Sequence, residues 1–170
     1  NSPYINLGGV VTSGFSDYEA ASKKIASVNG IVSVSPVVKG QVMATANGKN
    51  KGVEVFGETL TDVKKLPLIV NPESSMGSVE NFDKGVAIGS GIARSLGLHI
   101  GDIITLISPN GVKTAFGTSP RISGFEVVYI FQVGRYDIDN TRIYMPLLDA
   151  QIYFNRENLV DEFEIMVSNP

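Results

Sequence analysis

The chain has 170 residues, a formal net charge of −3, 43% hydrophobic residues and only 18% charged residues. This length suits one domain or two small lobes with a sizeable core, and the low charge excludes a disordered chain. The sequence has no cysteine, which excludes disulfides, thiolate zinc sites and cysteine nucleophiles, and no basic block that would bind nucleic acid through its phosphates. It begins at Asn1 without a methionine, and we expect it to be a piece of a longer protein.

The N-terminal part of the sequence predicts a strand followed by a helix. Residues 1–12 contain spaced apolar positions around two adjacent glycines, which favours a broken or bulged strand. The helix is predicted to begin at Ser16, because a serine followed three residues later by Glu19 forms a capping box. Apolar residues at helical spacing continue to Asn29-Gly30, a pair that favours the left-handed end of a helix.

A long β-rich segment follows this helix. Pro36 is expected to divide residues 31–45 into two strands, because proline cannot donate a hydrogen bond to a ladder. Asn47-Gly48 predicts a hairpin turn that leads into a strand over residues 52–56. The succession of strand, helix, strand and hairpin defines an α+β pattern.

The middle of the chain has its own succession of elements. A helical turn capped by Thr59 or Thr61, a polar loop, a buried strand and a second helix, capped by Ser90 and closed by Gly97, are predicted over residues 60–66, 71–83, 86–88 and 90–96. We therefore interpret residues 57–124 as a smaller lobe inserted into a first lobe made of residues 1–56 and 125–170.

The C-terminal part predicts a return to the first lobe. Strands are expected over residues 125–131, 142–145 and 162–167, the last with alternating apolar positions. Residues 134–140 predict a polar turn. A further helix is expected to begin at Pro146, where the missing N–H costs nothing.

Residues 108–121 form an unusually long link between two predicted strands. A hairpin needs only two to five residues, whereas this segment contains two prolines, two glycines and Phe116 near its middle. Proline restricts φ and lowers the entropy lost when an extended arm is ordered. We interpret the segment as a projecting arm whose apolar tip docks onto a partner. The alternative is a plain hairpin that turns at Asn110-Gly111 and buries Phe116 in the core.

Arg121 stands at the base of this arm, beside Pro120. An arginine next to an apolar projection is a common anchor in protein interfaces. The alternative is a surface arginine held in a salt bridge.

No catalytic or metal-binding pattern is favoured in the sequence. His99 is the only histidine and therefore the only candidate base for a Ser-His-Asp site, but a surface or turn histidine is typical of its position. A zinc site would lack the usual three protein ligands from His, Cys and carboxylates. Asp137 and Asp139 could pair with Asp17 or Glu126 for acid–base chemistry, but their spacing is typical of a solvated turn. The same run begins like a calcium loop but lacks the glycine and the distant glutamate that complete one. A Gly-Ser-Gly turn before the second helix lacks the third glycine of a dinucleotide site. We expect a non-enzymatic domain without a cofactor; an enzyme using Asp137 and Asp139 is the remaining alternative.

Several short motifs, in order along nearly the whole chain, resemble a known family. In the first two thirds they are Asp17-Tyr18-Glu19, Gly40-Gln41-Val42, Gly89-Ser90-Gly91-Ile92-Ala93 with Leu96-Gly97, Gly101-Asp102 and Leu106-Ile107-Ser108-Pro109. The arm and the strand after it add Phe116-Gly117, Pro120-Arg121, Phe131, Gly134, Tyr136 and Asp137. Together they resemble the periplasmic domain of the LolC/LolE lipoprotein-releasing permeases, within the MacB-like class of ABC transporters.

The resemblance implies a fold and a role. In that family the domain lies between the first two membrane helices of a four-span permease and folds as two lobes. The permease works with a second permease subunit and a cytoplasmic ATPase, which together extract lipoproteins from the inner membrane. The cargo passes to a periplasmic chaperone, LolA, which is recruited by a protruding β-hairpin called the Hook. A MacB- or FtsX-like domain that engages another periplasmic partner is the alternative within the same class.

The arm over residues 108–121 is similar to that Hook. The resemblance implies partner-binding roles for Pro109, Asn110, Lys113, Phe116, Gly117, Pro120 and Arg121. The chain departs from the Hook pattern at Ala115, where a proline is usual, and at Thr105, where a basic residue is expected.

Overall fold

The computed structural model describes residues 4–8 and 15–168, in which strands predominate over short helices. The strands are β1 (Tyr4–Gly8), β2 (Phe15–Ser16), β3 (Ile31–Ala46), β4 (Lys49–Glu58), β5 (Ser74–Gly77), β6 (Val86–Gly89), β7 (Ile103–Thr114), β8 (Gly117–Gln132), β9 (Arg142–Pro146), β10 (Leu159–Val160) and β11 (Glu162–Val167). The helices are α1 (Tyr18–Ala26), α2 (Leu60–Val63), α3 (Pro67–Val70), a 3₁₀ helix (Val79–Lys84), α4 (Ser90–Leu96), α5 (Tyr136–Asp139) and α6 (Leu147–Tyr153).

Six of the strands close into a mixed barrel. Because β7 pairs with both β3 and β8, the order β3-β4-β9-β6-β8-β7 returns to its first strand. The pairs β4–β9 and β6–β8 are parallel, and the other pairs in this ring are antiparallel. Strand β3 is long enough to pair with β7 and β4 through its second half, while its first half continues the sheet through β11 to β1. The fold is therefore a mixed α+β domain.

The apolar residues form two cores that share the barrel wall. The first core takes side chains from all six strands of the ring and is completed by α4 and α6, through residues such as Val55, Leu96, Ile104 and Ala150. The second core lies against the other face of β4, β6, β8 and β9, where α2, α3 and the 3₁₀ helix cover rings such as Phe56. Alternation along each strand thus sends successive side chains into different cores.

Several sequence predictions are confirmed. Asn47 and Gly48 form the β3–β4 turn, both with positive φ (51° and 72°). Thr59 caps α2 by accepting a hydrogen bond from the backbone N–H of Asp62. Gly97 ends α4 in the left-handed conformation, φ 65°.

Other local predictions are wrong. Strand β3 runs through Pro36 without a break. The pairing of β3 with β4 begins only at Val38, and on the other edge of β3 Pro36 stands opposite Phe163 in a β3–β11 ladder that continues past it. The N-cap of α1 is Asp17 and the N-cap of α4 is Gly89, neither with a side-chain cap bond, so the predicted serine caps are wrong.

Two segments predicted as loop or turn contain regular structure. Residues 71–83 contain β5, which pairs with β8, and most of the 3₁₀ helix. Residues 134–140 contain α5. The predicted first strand is present as β1, and the rest of residues 1–12 lies outside the described residues.

The predicted division into a first lobe (1–56 and 125–170) and an inserted lobe (57–124) stays a prediction. Strands from both segments contribute to the one ring, since β6 and β7 come from the second segment and β3, β4 and β9 from the first.

Candidate partner-binding arm

The hairpin β7–β8 extends well beyond the barrel and turns at Ala115-Phe116. The ladder continues to the pair Thr114–Gly117, and Gly117 has a φ of 119°. The hydroxyl of Thr114 donates to the Gly117 carbonyl (2.7 Å) and accepts from the backbone N–H of Phe116 (3.3 Å). Phe116 is fully exposed, at 101% of its reference area. The alternative in which the chain turns at Asn110-Gly111 and buries Phe116 is therefore wrong, and the segment is a projecting arm.

A bulge marks the base of the arm. Ser108 pairs with Arg121 and Val112 pairs with Ser119, so three residues of β7 face only Pro120 of β8. Proline suits this place, because it has no N–H to offer a ladder. A bulge of this kind bends the paired strands and increases their twist, which re-aims the hairpin relative to the barrel wall.

The remaining predicted partner-binding residues lie along this arm. Pro109, Lys113, Gly117 and Pro120 are exposed, and the side chain of Asn110 lies outside the described part of the structure. Their contact with a partner stays a prediction.

Arg121 is half-buried at the base and is tied to the body of the domain. Its Nη2 donates to Asn155 Oδ1 at 2.9 Å, and Asn155 Nδ2 donates to the Gly111 carbonyl at 2.6 Å. Among the described residues Arg121 forms no salt bridge, so the salt-bridge alternative is wrong. The positive charge of Arg121 opposes the rise that burial causes in the pKa of Tyr153, which reaches about 12.

An apolar surface adjoins the arm on the outer face of the barrel, and the sequence analysis missed it. Met43 of β3, Ile107 of β7 and Ile122 of β8 stand side by side in register. Met43 and Ile122 are 43% and 64% exposed, and Ile103 on the same face is 56% exposed. A cavity of about 700 Å³ lies beside this row and is lined by residues that include Gln41, Met43, Glu54, Ile107, Pro109 and Pro120.

The carboxylates considered for catalysis have different environments. Asp139 is buried, and its oxygens accept the backbone N–H groups of Val133 (2.8 Å) and Gly134 (3.0 Å). Asp137 is exposed and pairs with Arg135 at 3.0 Å. Asp139 thus holds the chain after β8, which gives its carboxylate a structural role.

Metal and histidine chemistry find no support in the described residues. The side chain of His99 is largely exposed, and its Nδ1 lies 3.4 Å from Oδ2 of Asp102. No group of three metal-ligating side chains occurs among residues 4–8 and 15–168. Within these same ranges no helix has the length and apolar character needed to cross a membrane.

A partly buried cluster of charged groups surrounds the ring of Phe56. Lys39 Nζ lies 5.1 Å from the centre of this ring and the Arg142 guanidinium 4.6 Å from it. Glu58 is completely buried, and its carboxyl group lies within hydrogen-bonding reach of the Glu164 carboxyl group, a bond that needs a proton on one of the two. Burial, and then the charge of Glu164, raises the pKa of Glu58 well above its ordinary value. This cluster lies in the wall of the domain, around the outward-facing ring of Phe56.

Comparison with known proteins defines the class. Residues 2–169 match the MacB-like periplasmic core domain. The chain belongs to this family, and it is the periplasmic or extracellular domain of a membrane ABC permease.

The chain also resembles one curated protein over most of its own length. The chain is 26% identical over 144 residues to the lipoprotein-releasing system transmembrane protein LolC of Neisseria meningitidis serogroup B, a match that covers 83% of this chain and 34% of that protein. The chain therefore spans about one third of the length of this LolC.

Solved structures of low sequence identity share the fold. The extracellular domain of the noncanonic ABC-type transporter YknZ from Gram-positive bacteria has a TM-score of 0.58 at 16% identity, covering 98% of this chain and 82% of that one. The periplasmic region of MacB from Actinobacillus actinomycetemcomitans has a TM-score of 0.58 at 11% identity, covering 98% and 73%.

Proposed function

We propose that this domain is the chaperone-docking part of a lipoprotein-releasing ABC permease of the LolC/LolE type. In this role the β7–β8 arm presents Phe116 to an apolar cavity of a LolA-like periplasmic chaperone, which receives the lipoprotein cargo. A second permease subunit and a cytoplasmic ATPase complete the transporter. The observation that carries the proposal is a fully exposed aromatic side chain at the tip of a braced hairpin. The 26% identity to a LolC supports the choice of partner.

Burial of the arm tip alone provides too little free energy for micromolar binding, so the surface around the base of the arm must contribute. Burying one phenylalanine contributes about 1.5–3 kcal/mol. Micromolar binding requires about 8 kcal/mol of net free energy. The apolar row of Met43, Ile107 and Ile122 lies on the adjoining sheet and offers the additional contact area. We therefore expect the chaperone to cover both the arm and this row.

Calorimetric titration with the LolA-type chaperone of the source organism tests the proposal. The wild-type domain should bind saturably, and Phe116→Ser should weaken binding at least tenfold. Tyr136→Ser is the matched control, since Tyr136 is an exposed aromatic residue (82%) on α5, outside the arm. Equal loss of binding in both variants would contradict a specific role for the arm.

A second candidate is a MacB- or FtsX-like domain that couples ATPase-driven motion to a different periplasmic partner. The shared fold with the MacB periplasmic region favours this candidate. No binding of the folded wild-type domain to the chaperone would select it over the lipoprotein role, and a pull-down with a MacB-type adaptor would then identify the partner class.

A further inference from the structure

Asn155 lies where the two strands of the arm leave the body of the domain. We propose that Asn155 is a positioning residue that latches the arm at a fixed angle, with Arg121 acting as an internal brace rather than as a free contact for the partner. This inference rests on the proposed docking function of the arm, but the latch itself can be measured without any partner.

The body side of the latch is rigidly packed. Asn155 follows α6, whose Tyr153 is buried and packs edge-to-face against Phe125 (5.9 Å between ring centres) and Phe154 (4.9 Å). Phe154 in turn packs against Gly40, where an added Cβ would lie 2.4 Å from the ring. The backbone at Asn155 is left-handed, φ 55°, a conformation that asparagine tolerates better than most residues. The packing of Tyr153 and Phe154 therefore fixes the backbone position from which the side chain of Asn155 extends.

The arm side of the latch spans the bulge. One bond reaches the carbonyl of Gly111 on β7 and the other reaches the guanidinium of Arg121 on β8, so a single amide group holds both strands. An added Cβ at Gly111 would lie 2.0 Å from the backbone nitrogen of Arg121, which shows how closely the strands approach here. Because the ladder is interrupted between Ser108 and Val112, these two bonds replace the ladder contacts that would otherwise fix the direction of the arm.

The latch has a measurable consequence for binding. When a binding-competent orientation is populated for only part of the time, the apparent dissociation constant rises by the inverse of that fraction. An arm freed from Asn155 samples several orientations, and we expect its affinity for the chaperone to fall about tenfold.

Spin-label distance measurements test the latch directly. The chain contains no cysteine, so Ala115→Cys at the tip and Ser95→Cys on α4, both exposed, label it cleanly. The doubly labelled parent should give one narrow distance distribution. Asn155→Gly, which keeps the left-handed backbone but removes the side chain, should broaden that distribution at least twofold. Asn155→Asp keeps the acceptor for Arg121 but loses the donor to Gly111, and it should give an intermediate width.

Asn158→Gly is the matched control, because Asn158 has the same left-handed backbone, φ 59°, three residues further along. Its distribution should keep the width of the parent. An unchanged width in folded Asn155→Gly, or equal broadening in both glycine variants, would overturn the latch. If the width changes as expected but the wild-type domain does not bind the chaperone, the latch stands and the docking function fails.

Discussion

Replacing Glu58 with glutamine removes a carboxyl group that the fold buries completely beside the carboxyl group of Glu164. Burial is the largest cause of its raised pKa, followed by the negative charges of Glu164 and Asp62, while the positive charge of Arg142 opposes the rise. The pKa of the neighbouring Glu164 is also raised, first by burial and then by the charge of Glu162. We therefore expect the neutral Glu58→Gln side chain to fit this site better than an ionised carboxylate.

The direction of the pH effect follows from proton binding. A glutamate in the unfolded chain ionises with a pKa of about 4.3, while Glu58 in the fold keeps its proton to a higher pH. Between these two pKa values the folded state binds more protons than the unfolded state, so stability falls as pH rises. The loss is at most about 1.4 kcal/mol per pH unit for one group. For a chain of this size that corresponds to about 3–6 °C in melting temperature per pH unit.

Thermal unfolding of the wild type and of Glu58→Gln from pH 5 to pH 8 measures this effect. The melting temperature of the variant should exceed that of the wild type by a margin that grows with pH. Glu157→Gln, at an exposed glutamate, is the control and should follow the wild type. A constant difference across this range, or a lower melting temperature of Glu58→Gln at pH 8, would refute the reasoning and mean that Glu58 is ionised in the fold.

Three further predictions concern stability. Gly57→Ala should lower the free energy of unfolding by about 1–3 kcal/mol in urea titrations, because its Cβ would lie 2.2 Å from that of Ala150 on α6. Asp139→Ala should lower the free energy of unfolding by about 1.5–3 kcal/mol, because the partly buried hydrogen bonds from the backbone N–H groups of Val133 and Gly134 to its carboxylate are lost. Asp137→Ala should change the same quantity by less than about 0.5 kcal/mol, because Asp137 is exposed. Phe116→Ser should leave the melting temperature unchanged, since its side chain is fully exposed; a drop of several degrees would mean that the tip packs on the body.

The elements predicted well are those whose signals are local. Asn47-Gly48 and Gly97 adopt the left-handed conformations that their residue types favour, and these conformations fix a turn and a helix end without reference to the rest of the chain. The break predicted at Pro36 is absent, because a proline is compatible with a strand wherever its nitrogen faces no partner, and only the order of strands in the sheet shows where that is so. The closure of the ring by the β3–β7 pair, such as Met43 with Ile107, joins residues far apart in sequence and leaves no local pattern.

In the candidate site, too, the local features were predictable and the long-range contacts were not. The composition of residues 108–121 allowed either an arm with Phe116 exposed or a plain hairpin with Phe116 buried, and the structure shows the exposed side chain. The role of Asn155 was not predictable, because its two bonds reach residues 34 and 44 positions away. The apolar row beside the arm was missed for a similar reason: an isoleucine in a strand does not reveal which of its two faces a second layer covers.

The strands that close the barrel are also the strands that form the arm, and this continuity determines how the domain bears mechanical load. Strand β7 runs unbroken by any turn from its pairing with β3 to the tip, and β8 returns into the wall beside β6. A pull on the tip along the hairpin axis therefore loads many ladder hydrogen bonds in shear at once, instead of peeling them apart one by one. If the arm docks as proposed, traction from its partner passes along β7 and β8 into the wall of the barrel.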